Sequence, residues 1–203
     1  MAKVDIIVPI YNQAKYLKEC IDSILNQGLQ DYFITVVNDG STDNVVEVLD
    51  KNYAMIRNMR LIQHKENKGL SAALNTGVQS VAGKYLTWMS ADSYYGTNCL
   101  KKLEKFLDEH EQVGLVCSDF KIFGARKDSY CPKKEIITFD DLLKDNYVRA
   151  SFMYHRILHN IVGYYNEELK CAEDWDMWKK ISRAFKIQHI CEAFVYQREY
   201  GKE

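Results

Sequence analysis

The sequence predicts an α/β fold with a mainly parallel sheet flanked by helices, and three observations carry that expectation. Short apolar, β-branched runs alternate with segments of helical periodicity as far as about residue 118. Turn and breaker residues fall between these segments rather than inside them. Alternation of this kind implies right-handed crossovers, which lay successive strands side by side in one direction.

The run Val4 to Val8, bounded by Pro9, reads as a buried first strand. Leu17, Cys20, Ile21, Ile24 and Leu25 recur at helical spacing, and Gly28 follows as a stop. Phe33 to Val37 reads as the second strand. It closes on Asn38-Asp39-Gly40-Ser41-Thr42-Asp43, turn chemistry in which Asp43 is the expected N-cap of a helix carrying Val45, Val46, Val48 and Leu49. Met59 to Gln63 is a third strand. Leu70, Ala73, Leu74, Gly77, Val78 and Val81 form one helical face, with Gly83 as its expected stop.

Tyr85 to Met89 is the next strand, delivering Ser90-Ala91-Asp92-Ser93 to its end. Thr97 is expected to cap a helix with Leu100, Leu103, Phe106 and Leu107 inward and Glu104, Lys105, Asp108 and Glu109 solvated. Val113 to Cys117 then resumes the sheet. Past Asp119 the alternation degrades. A short helix is expected near Phe139 to Lys144, a longer one over Glu173 to Phe185, and one or two closing strands over Lys186 to Gln197. Residues 1–203 thus read as one domain, a nucleotide-fold half over 1–118 and a less regular half over 119–203.

A formal charge of −1 gives no global attraction to nucleic acid. The N-terminal apolar run is interrupted by Asp5 and is too short for a signal sequence or a membrane span, so a cytosolic location is expected. The six cysteines form no C-x-x-C pair, and most read as small core residues in a reducing compartment. His155 and His159, at i, i+4, read as an incidental pair.

Open parallel sheets bind ligands beyond the carboxyl ends of their strands. Three polar clusters fall there: Pro9-Ile10-Tyr11-Asn12, Asn38-Asp39-Gly40-Ser41 and Ser90-Ala91-Asp92-Ser93. No G-x-x-x-x-G-K-[ST], G-x-G-x-x-G or G-x-S-x-G occurs, which disfavours a P-loop enzyme, a dinucleotide dehydrogenase and an α/β-hydrolase. The remaining rim of carboxylates and amides suits hydroxyls, base edges and a hard cation.

Four segments in order, VDIIVPIYNQAKYLKECIDSILNQ, VVNDGSTD, NKGLSAALNTGVQSVAGKYLTWMSADS and AEDWDMWKKIS, resemble the successive motifs of glycosyltransferase family 2. The resemblance implies the GT-A fold and inverting transfer from a nucleotide-diphosphate sugar, with a UDP-sugar as the usual donor. It implies that Pro9 and Tyr11 border the nucleobase and that Asp39 accepts a hydrogen bond from it. Asn67, Gly69 and Leu70 match the loop closing over the nucleotide. Asp92 matches the metal-binding acid of a D-x-D motif, with Ser90 and Ala91 in its other positions and Mn2+ or Mg2+ as the implied cofactor. Asp174 matches the catalytic base, Glu173 its acidic neighbour, and Arg198 the arginine of a C-terminal motif. The implied acceptor is a glycan or a lipid-linked precursor, which would bring the protein to the inner face of the membrane.

The sequence departs from that pattern at several positions. Ser90 and Ser93 stand where acids are common, Leu74 where an arginine is frequent, and Tyr200 where a histidine is frequent. An acceptor-side or membrane-proximal continuation found in many relatives is expected to be absent or very short. A non-catalytic nucleotide-sugar or glycan-binding domain is therefore the alternative expectation, and a nucleotidyltransferase of related topology a more distant one.

Overall fold

The computed structural model describes residues 2–200. Its elements are β1 (Val4–Ile10), α1 (Ala14–Leu25), β2 (Tyr32–Asn38), α2 (Val45–Tyr53), β3 (Met59–Gln63), α3 (Leu70–Gln79), β4 (Tyr85–Trp88), β5 (Tyr94–Tyr95) and α4 (Cys99–Glu109). There follow β6 (Val113–Gly124), β7 (Asp128–Tyr130), β8 (Ile136–Ile137), α5 (Phe139–Leu142), β9 (Phe152–His155), α6 (His159–Val162), α7 (Glu173–Ser182) and β10 (Lys186–Glu199). One sheet runs β3-β2-β1-β4-β9-β6-β10-β5.

The pairs β3–β2, β2–β1 and β1–β4 are parallel, as the alternation predicts. Beyond β4 the sheet is mixed. β9 enters antiparallel between β4 and β6, and β10 then pairs parallel with β6. The sequence places the end of the regular pattern at Asp119, yet β6 continues to Gly124 because β10 and the β7 hairpin flank its distal part.

Strand alternation sends side chains to two cores. Val4, Ile6, Val8 and Ile10 of β1 pack with Leu17, Ile21 and Ile24 of α1 and Leu100 and Leu103 of α4. Ile7 faces the other way, toward Ala73, Leu74 and Val78 of α3 and the cluster around Met177, Trp178 and Ile181 of α7. The approach of α3 to β1 is close: a Cβ on Gly77 would sit 2.6 Å from Ile7 Cγ2.

Three expected helix boundaries are corrected. Asp43 does not cap α2; its Oδ2 accepts the Ala14 N–H at 2.8 Å and so caps α1. Thr97 does not cap α4, which Asn98 precedes in a left-handed conformation while Gln27 Oε1 accepts the Leu100 N–H at 3.0 Å. α3 ends at Gln79, before Gly83. Gly83 is held by buried Asp5, whose Oδ2 accepts its N–H at 2.6 Å and leaves no room for a Cβ. In each case the decisive partner comes from a distant segment.

Two surface expectations change as well. Asp108 is not merely solvated: it accepts hydrogen bonds from Lys3 Nζ and Tyr85 Oη, fastening α4 to the start of β4. Cys20, Cys99 and Cys117 are core residues as expected, but Cys131, Cys171 and Cys191 are exposed. Among the described residues, no helix is long and apolar enough to cross a membrane.

Candidate active site

The ends of β1, β2 and β4 converge on one cleft, as their parallel order requires. Its first part is lined by Pro9, Tyr11, Gln13, Asp39, Asn67, Gly69, Leu70 and Ser90, among others. Tyr11, 46% exposed, lines this opening. A planar base can stack there.

Asp39 is buried, and its carboxylate organises the opposite wall. Oδ1 accepts the Lys68 N–H at 2.9 Å and contacts His64 Nδ1 at 2.7 Å, while Oδ2 accepts the Gly69 N–H at 2.8 Å. A carboxylate has about four lone-pair sites, so one on Oδ2 stays available for a ligand N–H. His64 is itself positioned by Thr76 Oγ1 at 2.9 Å. The Asp39–Gly40 turn docks directly on the 66–69 loop: a Cβ on Gly40 would lie 2.4 Å from the Glu66 carbonyl carbon. Gly69, at φ 92°, has no neighbour within 4 Å of its Cβ position, so the glycine serves the backbone turn and leaves the pocket open.

Beyond Ser90 the cleft continues between Trp88, Met89, Ser93, Asn146, Arg149, Ala150, Asp174 and Gln197. Ser90 therefore belongs to both parts. Asp174 lies in the first turn of α7, where the sequence reading expects the helix N-terminus to favour its charge. Burial outweighs that effect and raises its pKa above the ordinary carboxylate value. Asn146 Nδ2, donating to Oδ2 at 2.9 Å, and the Trp175 N–H, donating to Oδ1, oppose the rise. A carboxylate so placed is a stronger base than one in water, yet stays oriented by two donors. Arg149 adds a cation to the same wall, in a left-handed conformation at φ 51°.

Asp92, 9% exposed, follows Ser90 in a tight turn closed by the Ser93 N–H on the Ser90 carbonyl at 3.0 Å. Its Oδ1 accepts from Ser93 Oγ at 3.1 Å; its Oδ2 accepts from Gln13 Nε2 at 3.1 Å and Tyr200 Oη at 2.8 Å. Gln13 precedes α1 and turns its side chain to Asp92 instead of to its own helix, which Asp43 caps. The surroundings are thus one carboxylate, hydroxyls and an amide, a hard oxygen-rich set that fits Mg2+ or Mn2+ rather than a softer ion. Because this set has a single acid, such an ion would draw its remaining ligands from water and phosphate. Three hydrogen bonds to the Asp92 carboxylate leave one lone-pair site on Oδ1 for it.

Pro9, Tyr11, Asp39, Asn67, Gly69 and Ser90 line one opening with Leu70, and Asp174 lines its continuation. Three other candidate residues sit outside the side chains that line these openings. Ala91 packs its methyl group in the core and offers the cleft no side chain. Glu173, 8% exposed, is not among the residues lining the cleft. Arg198 works from behind: its Nε donates to the Asp92 carbonyl at 3.2 Å, and its guanidinium lies between the rings of Tyr16 and Phe123. Leu74, at the frequent arginine position, is fully buried under β1. His64, Asn146 and Arg149 carry no motif signal, and the sequence reading misses them. His159, contacting Tyr154 Oη and the Gly163 carbonyl, is a core histidine as expected.

The family model for glycosyl transferase family 2 matches residues 5–165. An uncharacterized glycosyltransferase of Rickettsia prowazekii is 32% identical over 98% of this chain and 65% of its own length. A chondroitin synthase of Pasteurella multocida is 28% identical over 92% of this chain and 20% of its own length. The crystal structure of Staphylococcus aureus TarS residues 1–349 in complex with UDP superimposes with a TM-score of 0.80 and 25% identity, over 97% of this chain and 60% of that one. The chain therefore spans two thirds or less of the length of these relatives.

Proposed function

The chain belongs to glycosyl transferase family 2, and from that premise we propose that it transfers a sugar, with inversion, from a UDP-sugar to a hydroxyl of a glycan or lipid-linked acceptor. One observation carries the reading: the pocket lined by Tyr11 and Asp39 and the pocket lined by Asp174 share Ser90, so they lie side by side at the strand ends. The nucleotide occupies the first, with uracil on Tyr11 and its N–H on Asp39 Oδ2. The transferred sugar lies near Ser90, and the acceptor enters past Arg149 and Asn146. UDP bound to the TarS structure supports the donor class.

Asp174 takes the proton from the acceptor hydroxyl as its oxygen attacks the anomeric carbon from the face opposite the diphosphate. The anomeric C–O bond to phosphate breaks, and the nucleoside diphosphate leaves with the electron pair. Asp92 would hold Mn2+ or Mg2+, which, when bound, neutralises charge growing on the diphosphate. Ser90 and Ser93 donate or accept hydrogen bonds beside that position without adding charge. A lipid-linked acceptor would bring the protein to the inner face of the membrane, and a free glycan would leave it in the cytosol.

The engagement of Asp92 by three neutral donors favours a second reading, a domain that binds the nucleotide sugar without turning it over. Calorimetry with UDP and Mn2+, beside a transfer assay over a panel of UDP-sugars, separates the two. The enzyme reading expects Mn2+-dependent UDP binding, weakened in Asp39→Ala and in Asp92→Ala, together with transfer sharply reduced in Asp174→Asn. Binding without transfer or donor hydrolysis supports the second reading. Undetectable UDP binding sinks both.

A further inference from the structure

Away from the cleft, three metal-ligating side chains from different elements meet. Asp119 on β6, Cys131 just after β7 and His189 on β10 bring one ligand atom each within 4.8 Å of one another. His189 Nε2 lies 2.7 Å from Asp119 Oδ1. The imidazole is fully buried, and its Nδ1 has no partner. Cys131 is exposed, and the thiol of Cys191 is close enough to interact with it electrostatically.

We propose that Asp119, Cys131 and His189 form a zinc site, its fourth position taken by Cys191 or water. A sulfur, nitrogen and oxygen set selects zinc over the magnesium and manganese that suit Asp92. Tetrahedral zinc holds such atoms about 3.3 to 3.8 Å apart, given its usual bond lengths. The cluster reaches that spacing by an inward turn of the exposed Cys131 and a small opening of the Asp119–His189 pair. Binding converts the Cys131 thiol to a thiolate and releases its proton to water. The ion would fasten the β6–β7 hairpin to β10, the strand that also carries Arg198 to the back of Asp92.

The test uses the full chain purified without oxygen, stripped by chelator, loaded with Zn2+ or Co2+ and dialysed. Zinc is expected to stay bound stoichiometrically. The cobalt form is expected to show tetrahedral bands with a thiolate-to-cobalt charge-transfer band. Cys131→Ser should weaken that band and make zinc dialysable, and the Cys131→Ser/Cys191→Ser double variant should abolish it. Asp92→Ala should leave zinc retention unchanged, which separates this ion from the one at the cleft. Because Cys131 is exposed, its serine variant is expected to fold; an unchanged circular dichroism spectrum confirms that. Trace zinc only, an octahedral cobalt spectrum, a Cys131–Cys191 disulfide in the isolated protein, or a charge-transfer band unaltered in Cys131→Ser overturns the proposal.

Discussion

The two halves of the cleft are built by different means. The wall proposed for the nucleotide comes from β1, β2 and β4, neighbours in a parallel sheet whose ends converge because crossover topology allows little else. The wall around Asp174 comes from α7, the 146–150 segment and β10, joined only because β9 enters antiparallel between β4 and β6. Local alternation therefore sets the first wall, and long-range pairing sets the second. Binding should tolerate damage to the second wall, and turnover should not.

The sharpest test of that division is Asp174→Asn. Transfer should fall by about 10²–10⁴-fold, the usual worth of a positioned general base, while UDP affinity measured by calorimetry stays as in the parent. Loss of UDP binding as well would mean that the walls are not separable. Trp178→Ala removes the largest fully buried side chain, one that packs on Phe152 and Tyr154 of β9. It should cost about 3–5 kcal/mol in denaturant unfolding. If a stable Trp178→Ala protein still binds UDP as tightly as the parent, the comparison is sharpened further.

Asp39→Ala attacks the first wall. It strips the Lys68 and Gly69 N–H groups of their acceptor, and UDP affinity should drop by about 1.5–3 kcal/mol. Asn146→Ala probes the second wall more gently. Its hydrogen bond favours the ionised form of Asp174, so its removal should raise that carboxyl further. A base must be ionised, so kcat/KM should fall at a higher pH in the variant than in the parent as the medium is acidified. An acid limb moved the other way would exclude Asp174 as the group being titrated. The smallest effect is expected from Tyr200→Phe. It frees one lone pair of Asp92 Oδ2, and Mn2+ binding should tighten by about 0.5–1.5 kcal/mol in the presence of UDP.

The same division explains how far the sequence could be read. β1 to β4 and their helices were legible because each is a local periodic pattern, and the rim residues Tyr11, Asp39, Ser90 and Asp92 follow from lying just past the ends of their strands. Helix caps were not legible, since Asp43 serves α1 and Gln27 serves α4 across the fold. A cap that crosses elements leaves no spacing to recognise. Ala91 and Arg198 were misplaced for a related reason: a motif orders residues along the chain but does not say which side of a turn each side chain takes. His64, Asn146 and Arg149 act through partners distant in sequence or through an unusual backbone angle, and neither leaves a mark in composition or period. Asp119, Cys131 and His189 are likewise neighbours only after β10 has paired with β6.

β10 is late in the chain yet interior in the sheet, lying between β6 and β5. On a ribosome, the nucleotide wall can assemble while the second half is still being made, but β5 must wait for β10 before it has a sheet partner. Arg198 and Tyr200 then reach Asp92 at the end of that same insertion. The contacts behind and upon the Asp92 carboxylate therefore form only after β10 has been made. A nascent chain can hold a nucleotide pocket well before its Asp92 turn is complete.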